Sequence, residues 1–269
     1  MKKDPDLSWG VFNAPYNIFY RKLSLSHYFI TGASSGIGQA LALALSSNGH
    51  SVTAVARRLE RLQDLQINSP NINIFQGDVS NPSDMKTIVE DCSNLFGQID
   101  CAILNAGKYV PLGGADINSR EFYDHMMVNY MGVVHVLDCL IPAFKSTGSG
   151  HIAIMGSTAG YRGLPRSAAY GPTKAALANL AEALYLDLEP YGIKVQMISP
   201  GFVETEATAV NDFKMPQIIS ASKAAIKIIK GLNSNQFEIC FPTGFVWVMK
   251  LFRLLPHSFY ARIIKGITK

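Results

Sequence analysis

Seven short apolar runs alternate with longer helical stretches along this chain, and that alternation constrains its fold more than any other feature. "YFIT" at 28 to 31, "SVTAVA" at 51 to 56, "INIF" at 72 to 75, "CAILN" at 101 to 105, "HIAIMG" at 151 to 156, "KVQMIS" at 194 to 199 and "FEICF" at 237 to 241 read as buried strands. The segments between them carry helix punctuation. Gly49 closes the first helix, Asn81 caps one opened by Pro82, and Gly192 follows the long run from 168 to 191. Strands separated by helices pair in parallel through right-handed crossovers, so the pattern predicts a doubly wound α/β fold. Its sheet is seven-stranded and mostly parallel, with helices on both faces and ligands at the carboxyl ends of the strands.

Composition narrows the partners. With 269 residues, 48% of them hydrophobic and 16% charged, the chain supports a large core. Lys plus Arg exceed Asp plus Glu by 24 to 20 with no run of five like charges, which gives no argument for nucleic acid. The excess is unevenly placed: after Glu238 no acidic residue occurs, while Lys250, Arg253, Arg262, Lys265 and Lys269 follow. Cys92, Cys101, Cys139 and Cys240 show no CxxC spacing and read as reduced core thiols, which points to a cytoplasmic compartment and to no metal site. No uncharged apolar run of about 18 residues is present, so no spanning helix is expected.

The stretch "TGASSGIG" at 31 to 38 places Gly32, Gly36 and Gly38 where the first strand turns into a helix. The bland reading is a tight turn. The functional one is a diphosphate lying against bare backbone near Ile37, where unpaired N–H groups and the helix dipole favour negative charge. At the end of the second strand, "AVARR" puts Ala56 where an acidic residue would hold the ribose of NAD. Arg57, and with it Arg58, can meet a 2′-phosphate, so NADP(H) is favoured over NAD(H); Arg58 can equally be a solvated residue of the helix that follows. Asp78 in "GDV" either accepts from an adenine amino group or caps a turn.

In "YGPTK", Tyr170 and Lys174 are four residues apart and share one helix face, and Ser157 ends a strand thirteen residues earlier. Taken alone, that spacing also fits an ordinary surface pair. Together with "NAG" at 105 to 107, Asn129 in "VNYMG" and "PGFVET" at 200 to 205, however, these motifs resemble the short-chain dehydrogenase/reductase family over residues 27 to 242. The resemblance implies a Rossmann-type domain that transfers a hydride between a nicotinamide and a carbonyl or alcohol without a metal. It implies that Tyr170 carries the proton, Ser157 holds the substrate oxygen, Lys174 lowers the phenol pKa and grips the ribose, and Asn129 holds a relay water. The cofactor would lie along Gly32, Ser34, Ser35, Gly36, Ile37 and Gly38, then Arg57, Arg58, Asp78 and Val79. Beyond these come Asn105, Ala106 and Gly107, then Tyr170 and Lys174, and finally Pro200, Gly201, Val203 and Thr205, with Thr205 on the carboxamide. The family commonly forms dimers or tetramers, here through helices at about 119 to 146 and 168 to 190.

Three features stand outside that pattern. Pro172 falls in the first turn of the helix carrying Tyr170, where proline is tolerated. The leader, residues 1 to 26, reads as a cap, a membrane-contacting segment or an extension. The tail, residues 243 to 269, reads as two basic, aromatic-rich amphipathic helices, with Pro256 opening the second and Gly266 ending it. Such a tail suits a peripheral membrane contact, a cover over the substrate cleft or a subunit contact. Residues 202 to 216 read as a lid over an apolar substrate.

Overall fold

The structure, a computed structural model, describes residues 25–267. The readings made for residues 1 to 24, and for Lys269, lie outside the described residues. Five β/α steps and a sixth strand come first: β1 His27–Thr31, α1 Gly36–Ser47, β2 Ser51–Ala56, α2 Leu59–Ile67, β3 Ile72–Gln76, α3 Pro82–Phe96, β4 Cys101–Leu104, α4 Ser119–Met126, α5 Gly132–Thr147, β5 Gly150–Met155, α6 Tyr170–Leu188 and β6 Ile193–Pro200. A short pair, β7 Val203–Glu204 and β8 Ile219–Ser220, brackets the 202 to 216 segment; α7 Ala221–Leu232, β9 Glu238–Phe241, α8 Thr243–Leu254 and α9 His257–Ile267 complete the chain.

Seven strands form one sheet in the order β3-β2-β1-β4-β5-β6-β9, and every pairing in it is parallel. The seven apolar runs are therefore the seven strands, with no end moved by more than one residue. Successive residues on a strand face opposite sides, and β1 shows the consequence. Phe29 joins a core with Leu104, Val136 and Phe144 on one face, while Ile30 joins Leu41, Val52 and Ile103 on the other. Helices α3 and α5 pack together, as do α1 and α7. All four cysteines are free thiols.

Within the continuous helix from Ser119 to Thr147, an 18-residue stretch has a mean hydropathy of 1.5 and is long and apolar enough to cross a membrane. Here it packs on the sheet, with Val133, Val136, Leu137, Leu140 and Phe144 buried. Asn81 caps α3 by accepting from the N–H of Ser83, with Pro82 at the first helical position, as the sequence predicts. Gly266 does not end α9, which runs on to Ile267; a glycine in a last helical turn costs only about 1 kcal/mol relative to Ala, too little to stop a helix by itself.

The sheet order sets the site. From β1 the chain winds outward to β2 and β3, then returns to β4 on the other side of β1. The two crossovers diverge there and leave a crevice beyond the carboxyl ends of β1 and β4. Gly32 follows one strand and Asn105 the other. The hydroxyl of Thr31 accepts from the N–H groups of Asn105 and Ala106 at 3.0 and 3.1 Å, and the Asn105 amide donates to the Thr31 carbonyl at 3.0 Å.

Candidate active site

A cleft of about 370 Å3 opens at this crevice. Its floor is the glycine loop. Gly32 has φ +70°, and a Cβ there would lie 2.8 Å from Ala106 Cα. At Gly38 a Cβ would lie 2.3 Å from the Gly32 carbonyl oxygen, so this residue packs the turn and does not line the cleft. Ser34, Ser35, Gly36 and Ile37 do line it. Ser35 is the N-cap of α1 yet makes no side-chain cap bond, and the first turn holds no acidic residue. The leading N–H groups and the dipole are thus left for an anion.

Two arginines flank the loop in different ways. Arg57 is 71% exposed and reaches Asp78 at 3.7 Å. Asp78 accepts from the N–H and the hydroxyl of Ser80 at 2.9 and 2.7 Å, so the turn reading of this residue holds while it also lines the cleft. Arg58 is not a solvated helix residue. It precedes α2 and folds back over the loop, donating to Ser34 Oγ at 3.1 Å, to Ser35 Oγ at 2.8 Å and to the Glu206 carboxylate at 2.9 Å. Arg61 also pairs with Glu206, and the two guanidinium groups hold that carboxyl below its ordinary pKa.

At the inner end, Ser157, Tyr170 and Lys174 converge on the same cleft. Ser157 follows β5 and accepts from the Ala159 N–H at 3.1 Å; Tyr170 opens α6 and Lys174 stands one turn along it. Lys174 is buried, with its ammonium donating to the Met155 carbonyl at 2.7 Å. Desolvation lowers its pKa to about 8. An ammonium has three donors, so this one has hydrogens left for ligand hydroxyls in the cleft. The Tyr170 ring is partly exposed to the cleft, but loss of water around its hydroxyl pushes the pKa up to about 12 against a Ser157 hydrogen bond that pulls it down. The Lys174 ammonium, 5.5 Å from the ring centroid, does not reverse this.

Asn129 sits apart from the cleft wall. It is fully buried in a π-helical turn, Met127–Met131, between α4 and α5. Its amide oxygen accepts from the Lys108 N–H at 2.6 Å, and its nitrogen donates to the Lys108 carbonyl and to Thr173 Oγ1, both at 3.0 Å. The side chain therefore ties the segment after "NAG" to the helix bearing Tyr170 and Lys174. Val79, Asn105, Ala106, Gly107, Pro200, Gly201, Val203 and Thr205 all line the cleft.

The substrate side shows residues that motif reading missed. Tyr109 meets Tyr170 edge-to-face at 5.0 Å and donates to Asn211 at 2.8 Å. Phe202 packs on Phe213 at 5.8 Å and on Phe245, in the first turn of α8, at 5.5 Å. Phe202, Phe213, Phe245 and Leu164 make this wall apolar. Tyr109 lies two residues beyond "NAG" and was findable by that proximity; Phe245 lies far along the chain and was not. The 202 to 216 segment is tied down by Glu206 on Arg58 and Arg61, by Asn211 on Tyr109 and by Asp212 on Arg166.

Glycine floor, uncapped helix end, arginine pair and buried ammonium together fit a dinucleotide with a diphosphate and ribose hydroxyls, and define the class as a nicotinamide-dependent oxidoreductase. The model of the short chain dehydrogenase family matches residues 26–215. The chain is 34% identical over 206 residues to an uncharacterized oxidoreductase of Staphylococcus epidermidis, covering 76% of this chain and 89% of that one. It is 30% identical over 253 residues to an 11-beta-hydroxysteroid dehydrogenase-like protein of Arabidopsis thaliana, covering 89% and 81%. Among solved structures, a closed serine dehydrogenase complexed with NADP+ superposes with a TM-score of 0.74 at 24% identity, covering 80% and 94%. A Burkholderia phymatum family member in complex with NAD gives 0.76 at 22%, covering 84% and 92%. The chain belongs to the short-chain dehydrogenase/reductase family. It is an oxidoreductase acting on CH–OH or C=O groups with a nicotinamide cofactor.

Proposed function

We propose that the protein is an NADP(H)-dependent reductase or dehydrogenase of an apolar carbonyl or alcohol. The observation that carries this is one cleft in which Ser157, Tyr170 and Lys174 face an aromatic wall at one end and Arg57 and Arg58 flank the glycine loop at the other. A bound nicotinamide supplies the hydride acceptor or donor. The chain's own residues do the rest. Ser157 hydrogen-bonds the substrate oxygen as charge builds on it, and Tyr170 gives or takes the proton at that oxygen. With its pKa pushed up to about 12, the phenol is protonated at neutral pH, the state a carbonyl reduction requires.

Lys174 holds ribose hydroxyls with the donors that Met155 leaves unused. Asn129 acts as a positioning residue through Lys108 and Thr173. Arg58, held in place by Ser34 and Ser35, presents a fixed fork to a 2′-phosphate, with the exposed Arg57 beside it. Thr205 faces the carboxamide end, and the apolar wall favours lipid-like or steroid-like substrates over polar ones. A panel of apolar and polar carbonyls and alcohols, assayed by nicotinamide absorbance with both cofactors, tests the reading. Turnover of apolar carbonyls with NADPH well above NADH is the expected result; preference for NADH, or for small polar alcohols, overturns it.

A further inference from the structure

Helix α8 is apolar on two opposite sides. Val246 and Met249 face the body of the protein and are buried, whereas Trp247, Leu251 and Leu254, at spacings of four and three, form an outward stripe with exposures of 67, 58 and 80%. Val248 widens that stripe. On α9 the pattern repeats, with Tyr260 buried and Phe259 and Ile263 outward. Both helices are firmly seated. Arg162 donates to the carbonyls of Phe252 and Leu255 at the end of α8 and lies 4.1 Å from the Tyr260 ring, and the Tyr260 hydroxyl donates to Gly163. The outward apolar face is therefore held in place by the fold and does not arise from a loose end.

Charge says what covers it. After Glu238 the chain has no acidic residue. Lys250 is paired with Glu238 at 2.5 Å, but Arg253, Arg262 and Lys265 are exposed on these same two helices. A second copy seated face to face would bring these cations against their own counterparts with no acidic residue of the segment to offset them. An anionic lipid surface complements both the cations and the apolar stripe, and Trp247 suits the level of the headgroups.

Position adds the consequence. Phe245, in the first turn of α8, is part of the cleft wall and touches Phe202, which touches Phe213; Phe213 and Val210 are themselves exposed. We infer that α8 and α9 dock on an anionic membrane surface, and that this contact begins at the substrate end of the cleft, so that an apolar substrate enters from the lipid. The contact stands independently of the enzymatic reading, since the face exists whatever the cleft turns over.

Flotation of the full chain with vesicles of phosphatidylcholine alone, and of phosphatidylcholine with phosphatidylserine, is the test, alongside light scattering without lipid. The expected result is flotation with the anionic vesicles that weakens as salt rises, little with the neutral ones, and loss in the double variant Trp247→Glu, Leu251→Glu. Both substituted residues are exposed, so the variant keeps its circular dichroism and its turnover of a water-soluble carbonyl. Arg253→Glu with Arg262→Glu tests charge with the apolar stripe intact, and it also loses flotation. A full chain that stays in solution with anionic vesicles at low salt overturns the inference. So does a dimer that the Trp247→Glu, Leu251→Glu variant dissociates, because a second copy then covers the face. A protein that floats but turns over no carbonyl refutes the proposed reaction and leaves the docking surface standing.

Discussion

Tyr170 and Lys174 are one helical turn apart, and burial acts on them in opposite senses. It favours the uncharged form of each, keeping the phenol protonated and making the ammonium easier to deprotonate. Forming phenolate at pH 7 from a pKa of about 12 costs about 7 kcal/mol. Tyr170→Phe removes the proton-carrying oxygen and keeps the ring against Tyr109. Turnover is expected to fall by about 10²- to 10⁴-fold with the NADPH dissociation constant nearly unchanged, measured by steady-state assay and fluorescence titration. An enzyme that kept most of its turnover would refute the assignment.

The lysine makes a separate prediction. With a folded pKa of about 8 against 10.5 unfolded, the unfolded chain binds more protons between those values, so the protein gains stability as pH rises through that window. Below pH 8 the full penalty of burying the charge is present, on the order of 3 kcal/mol. Urea unfolding of the wild type is expected to show this rise and Lys174→Met to lack it, while Lys174→Met weakens cofactor binding. Equal pH profiles for the two proteins would place the ammonium in a wetter setting than the fold indicates.

At the scale of elements, the glycine loop is built for close approach and the arginines for discrimination. Gly38→Ala would set a methyl 2.3 Å from the Gly32 carbonyl oxygen, and backbone cannot swing aside as a side chain can. Destabilisation of about 1 to 3 kcal/mol is expected, with weaker binding of both cofactors. Arg58→Ala is expected to weaken NADPH binding by about 1.5 to 3 kcal/mol and to leave NADH nearly unchanged. Arg57→Ala should do less, because that side chain is largely in water. Glu206 places a carboxylate on the guanidinium proposed for the 2′-phosphate, so Glu206→Gln is expected to tighten NADPH several-fold. Titrations of the three variants with both cofactors decide this; equal changes for NADPH and NADH would remove the 2′-phosphate assignment.

At the scale of the molecule, pairing across a two-fold axis through α4–α5 and α6 is expected from the family, and light scattering at micromolar concentration checks it. The order of strands and helices was legible in the chain because the inner strands are buried on both faces as short apolar runs and the helices are punctuated by Asn, Pro or Gly near their ends. That periodicity is a local property, written in neighbouring residues. The glycine loop, Ser157 and the Tyr170 to Lys174 pair were legible because each occupies a short stretch at a strand or helix end; spacing set which side chains share a face, and the resemblance of the motifs to the family, not the spacing, told them from a plain turn and a surface pair. Contacts between distant stretches were not legible. Arg58 meets Glu206 across 148 positions, Tyr109 meets Asn211 across 102, and Phe245 closes a wall begun by Phe202. Nor could the sequence show which side of α8 is covered, since both are apolar. The packing of α8 and α9 on the loop around Arg162 chose the inward face and left Trp247, Leu251 and Leu254 outward. Pairings of this kind depend on how far the sheet twists and where the crossovers land, and only the folded chain sets those distances.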